Sequence, residues 1–102
     1  MVWSHFVAAL FSGLFLANTI PHLVKGVCGD PFPTPFAKPP GKGLSSPVVN
    51  TLWALANLLA GCWLFHAGGI VAGGILPRSL FFIGFAAISL QMSSHFSHKD
   101  RE

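Results

Sequence analysis

Three apolar runs without Asp, Glu or Lys carry most of this chain, and nearly everything polar or conformationally special lies between them or after them. The first runs from Val2 to Val24. As a helix rising 1.5 Å per residue it reaches roughly 30 Å, the thickness of a bilayer's hydrocarbon core. Pro21 falls near its end, where a freed carbonyl can find water or a neighbour, and Lys25–Gly26 close it. The second run starts at a clear signal. Ser46 is placed to cap a helix whose first residue is Pro47, a position where the missing N–H costs nothing. It continues from Val48 to Ala67 and stops at Gly68–Gly69. The third is placed at Ser79 to Phe96. A span begun at Gly69 would put Pro77 and Arg78 close to mid-membrane, and Arg there costs about 2.5–3.5 kcal/mol. The pattern predicts an all-α membrane protein: three transmembrane helices in a small bundle, one domain over residues 1–102, ending in a polar tail at 97–102.

The connections differ in kind. Residues 25–46 hold Pro31, Pro33, Pro35, Pro39 and Pro40 among four glycines, which leaves neither helix nor central strand available. The Pro31–Phe36 segment is expected to be extended, with Phe32 and Phe36 holding the loop at the headgroup level. Residues 68–78 are apolar and glycine-rich, and are expected to form a short turn at the interface.

Charge sharpens the picture. Charged residues make up 9% of the chain and apolar ones 52%, too few polar side chains to cover a small water-soluble domain. Lys25, Lys38, Lys42, Lys99 and Arg101 share one side of a three-span topology, and Arg78 stands alone on the other. By the positive-inside rule the proline-rich loop and the C-terminus are expected in the cytoplasm and the N-terminus outside, in a bacterial inner membrane or a plasma membrane. The start lacks a basic region, and a cut after Ala17 would leave Phe15 where a small residue is needed, so the first run reads as an uncleaved span. Cys28 and Cys62 then fall on opposite sides and are expected to be free thiols. The basic residues flank spans rather than form a stripe interleaved with aromatics, so nucleic acid is not an expected partner.

In lipid, helices associate through small residues and interhelical hydrogen bonds. Ala9, Gly13 and Ala17 recur every four residues in the first run. Asn50, Ala54, Asn57 and Gly61 share a face of the second, and Gly84, Ala87, Gln91 and Ser94 a face of the third. These stripes are expected to meet in a bundle or a small oligomer. Asn57, near the middle of its span, needs a polar partner, with Trp53 and Gln91 as further intramembrane polar groups. Asn18, His22, Asn50 and His95 fall at similar depth and form the candidate polar cluster. Pairing His22 with His95, or His5 with His66, is the one arrangement that could ligate a haem, but histidines at span ends are at home at an interface without one, and no cofactor or metal is expected. No Asp or Glu lies within a span, which removes the carboxylate that proton-coupled transport relies on. No nucleophile–base pair or phosphate-binding loop is visible, so no enzymatic role is expected. Two functions remain: an accessory subunit packing against another membrane protein or itself, or a minimal oligomeric transporter or channel with a polar path near Asn57 and His22.

Overall fold

A computed structural model describes residues 3–99 as three helices: α1, Trp3–Val27; α2, Pro47–Ala67; and α3, Ile75–Phe96. Each is long and apolar enough to cross a membrane. Val2, Asp100, Arg101 and Glu102 lie outside the described residues.

The helices lie side by side with α1 in the middle. It packs against both α2 and α3, whose backbones do not approach each other. Phe65 and Phe81 meet edge-on across that gap, with ring centres 5.4 Å apart. The reason for this order is the face composition of α1. Ala8, Ala9, Ser12, Gly13 and Ala17 are all buried and let a neighbour approach from either side. Toward α3 the approach is reciprocal. A Cβ on Gly13 would strike the Phe81 carbonyl and lie 2.8 Å from the Phe85 nitrogen, and one on Gly84 would strike the Leu10 carbonyl. Toward α2, a Cβ on Gly61 would run into Leu16, and one on Gly68 would lie 2.8 Å from the Ala9 nitrogen. Ser12 Oγ donates to the Gly61 carbonyl at 2.8 Å, a hydrogen bond between buried groups. These pairings run α2 antiparallel and α3 parallel to α1, so the loop after α1 and the end of α3 share one end of the molecule.

Helix boundaries differ from the sequence pattern in two places. α1 continues through Val24 and Lys25 to Val27, with Pro21 inside it. α3 begins at Ile75 rather than Ser79, which shortens the expected turn of 68–78 to 68–74. Pro77 is then in the first helical turn, where its missing N–H has no partner to lose. Arg78 turns back on the connection: Nε donates to the Ile70 carbonyl at 3.0 Å and a terminal nitrogen to the Val71 carbonyl. The small-residue face of α3 is also narrower than expected. Gly84 reaches α1, but Ala87 is exposed, and the buried positions are Pro77, Gly84 and Met92.

The proline-rich connection, residues 28–46, is folded rather than extended. Phe32 and Ser45 exchange backbone hydrogen bonds of 3.2 and 3.0 Å in an isolated antiparallel bridge. Between them the chain doubles back on turns. The Thr34 carbonyl accepts from both Ala37 and Gly41 N–H, and the Pro39 carbonyl from both Lys42 and Gly43. Gly41, at φ 71°, takes the left-handed conformation this reversal needs. Phe32, Pro33, Thr34 and Ala37 are buried against the helix ends.

Candidate functional site

The loop closes over the ends of α1, α2 and α3, and Asn50 is the residue that fastens it. Asn50 stands one turn into α2 and is fully buried. Its amide nitrogen lies 2.9 Å from the Phe32 carbonyl, 3.2 Å from that of Ser45 and 3.1 Å from that of Ser46. Carbonyls only accept, so this end of the side chain is the NH₂ and the other end is the oxygen. That oxygen faces His22 Nδ1 at 2.9 Å. His22 therefore donates through Nδ1–H, and its Nε2 is left as an acceptor without a partner among the described residues. Thr34 and Ser45 hydroxyls, 2.6 Å apart, add a second clasp between the two arms of the loop.

The same logic orients the amides of Asn57 and Asn18. Asn57 Nδ2 donates to the Trp53 carbonyl at 2.7 Å, which leaves its oxygen to accept from Asn18 Nδ2 at 3.0 Å. Asn18 thus also presents an oxygen with no donor among the described residues. On the third side, His95 Nε2 is 2.6 Å from the Gly41 carbonyl, so it is the protonated nitrogen, and it ties the loop tip to the end of α3.

These groups surround a cavity of about 200 Å³. Asn18 and His22 of α1, Trp53 of α2, and Gln91, His95 and Phe96 of α3 form its walls, roofed by Pro33, Thr34, Pro35 and Gly41 of the loop. The lining is aromatic as well as polar. His22 meets Phe32, Trp53 and Phe96 edge-on at 5.5, 6.4 and 6.1 Å. Phe36 stands against the Trp53 ring at 5.2 Å, and the Trp53 indole N–H is buried with no acceptor. Lys99 Nζ lies 5.8 Å over the Phe32 ring, adding its charge to that of Lys25, Lys38 and Lys42 at this end.

Of the residues singled out in the sequence, Asn18, His22, Trp53, Gln91 and His95 come together around this cavity. Asn50 stands behind His22, and Asn57 behind Asn18, each 2% exposed or less. Gln91 and His95 are otherwise exposed. His5 and His66 are exposed near the opposite end and His98 in the tail. The space between His22 and His95 is the cavity of about 200 Å³, and among the described residues no group of three or more His, Cys, Asp or Glu is placed to hold a metal ion. The sequence pattern missed the loop's part in the site. Thr34, Pro33 and Gly41 close the cavity through turns and a bridge whose partners lie far apart in the chain, and only the density of proline hinted at a built structure. No family model, curated protein or solved structure matches this chain.

Proposed function

We propose that this chain is a three-span integral membrane protein that serves as an accessory subunit, packing against a larger membrane protein or a second copy of itself. The observation that carries this reading is the burial of Asn57, the most central amide, among its neighbours. It is 2% exposed and engaged with Asn18 and the Trp53 carbonyl. That supports a packing role over a place on a conducting path. Three further helix hydroxyls bond back to their own helix: Thr19 to the Phe15 carbonyl, Thr51 to that of Pro47 and Ser89 to that of Phe85. What remains outward on α2 and α3 is largely apolar, with Leu52, Leu59, Trp63, Phe82, Ile83 and Leu90 all exposed. Such faces suit acyl chains or another helix and have no use in water. The lysine-bearing loop end is the cytoplasmic one in this reading, in a bacterial inner membrane or a plasma membrane.

Purification of the tagged full chain in a mild detergent tests the role. A membrane protein recovered with it in fixed stoichiometry, or a defined homo-oligomer, is the expected result. A chain that purifies alone as a monomer, or one that conducts solute when reconstituted by itself in vesicles, contradicts it, the second outcome favouring the transporter reading.

A further inference from the structure

The hydrogen bonds around the loop-capped cavity leave an asymmetric set of free groups. His22 Nε2 is an acceptor because Asn50 holds the proton on Nδ1. The Asn18 oxygen is an acceptor because its nitrogen is engaged with Asn57. His95 Nδ1 is an acceptor when the ring is neutral, because Nε2–H is engaged with Gly41. The Trp53 indole N–H, buried without an acceptor, and the Gln91 amide are donors on the same lining, so the set suits a ligand that donates and can also accept, as a hydroxyl does. The cavity also selects for shape: about 200 Å³ bordered by Trp53, Phe96, Pro33 and Pro35 is the space of one substituted six-membered ring. An apolar cavity of about 150 Å³ already holds a benzene. Charge narrows the class further. A small ammonium could donate too, but Lys25, Lys38, Lys42 and Lys99 crowd this end, with Asp30 the only described acid. A neutral hydroxyl suits the acceptors without meeting that repulsion.

We propose that the cavity beneath the proline-rich loop binds a single hydroxyl-bearing aromatic ring, a phenol or hydroquinone, whose O–H donates to His22 Nε2, with the Asn18 oxygen as the second acceptor in reach. Phe96 also borders a groove of about 290 Å³ between α1 and α3, lined by Ile20, Pro21 and Met92, which offers an apolar tail a place beside the ring. The ring could therefore belong to a free phenol or to the head of a membrane quinol.

The test is nitrogen-detected NMR of the full chain in lipid nanodiscs, titrated with trimethylhydroquinone, with its oxidised quinone, and with mesitylene. These three share ring size but differ in hydrogen-bond donors. The hydroquinone is expected to saturate, to move the His22 Nε2 resonance upfield as it accepts a hydrogen bond, and to shift the Trp53 indole but not those of Trp3 and Trp63. The quinone and mesitylene are expected to bind about tenfold more weakly, as the loss of one or two hydrogen bonds to His22 and Asn18 implies. A prenyl-tailed hydroquinone that binds more tightly than the tailless one identifies a membrane quinol, and equal affinity a free phenol. Equal binding of all three probes, a shift shared by all three indoles, or an unmoved His22 overturns the proposal. H22F, which keeps a ring but removes the acceptor, is expected to lose the hydroquinone preference; if it does not fold, the probe series on the unaltered chain decides alone. Because the readout is binding by the single chain, its failure leaves the accessory-subunit reading untouched.

Discussion

Two asparagines of one helix do different work, and the difference is in what each would leave behind if removed. Asn50→Leu strands the Phe32, Ser45 and Ser46 carbonyls and the His22 Nδ1–H at once. Some of these reach water at the helix end, so the expected loss is about 3 kcal/mol, less than the full sum of the orphaned groups. Its clearest sign is a proline-rich loop that becomes readily cut by protease while the helices stay protected. Asn57→Leu removes one interhelical bond and one bond to its own helix, and the freed Asn18 amide lies near a cavity where it can find water. About 1 kcal/mol is expected in a detergent unfolding titration, with the loop still resistant. Equal loop cleavage in both variants would count against Asn50 as the fastening.

At the scale of elements, the two glycine crossings determine how close α3 comes to α1. Gly13→Val is expected to displace α3 because its Cβ meets backbone, the Phe81 carbonyl and the Phe85 nitrogen, and backbone cannot rotate away. An unfolding titration should show a loss of about 2 kcal/mol or more, against almost none for Ala87→Val on the exposed side of the same contact. The sequence made some of this legible. Ser46–Pro47 marks the start of α2 because cap and first-turn proline are local chemistry, and the Ser46 hydroxyl does accept from Val49 N–H at 3.2 Å. The Ala9–Gly13–Ala17 spacing is equally local, and all three residues are buried. The start of α3 was misplaced by four residues because Pro77–Arg78 reads as a boundary. Proline is tolerated inside a first turn, and the Arg78 donors are taken up by carbonyls of the turn before it, a contact that no residue spacing announces. The buried face of α3 escaped for a related reason: Pro77 and Met92 are neither small nor polar in a way that distinguishes them from lipid-facing residues. The fold of the loop was out of reach because it depends on Asn50 meeting Phe32 across 18 residues of chain.

For the whole molecule, the arrangement places Cys28 just beyond α1 at the lysine-bearing end and Cys62 on the outward side of α2, both exposed and unpaired. In a Cys62→Ser background, a membrane-impermeant maleimide is expected to leave Cys28 unlabelled in intact cells and to label it once the membrane is opened. Labelling in intact cells would reverse the proposed orientation without touching the fold. The claim beneath all the others is that lipid surrounds the outer faces of these helices. Spin labels at Leu59 of α2, Phe82 of α3 and Phe11 of α1, all exposed in the single chain, test it most directly in reconstituted vesicles. High collision with oxygen and low collision with a water-soluble nickel chelate at all three is the result this account predicts. Ready access of the nickel chelate to all three would mean that water bathes these faces, and would contradict it.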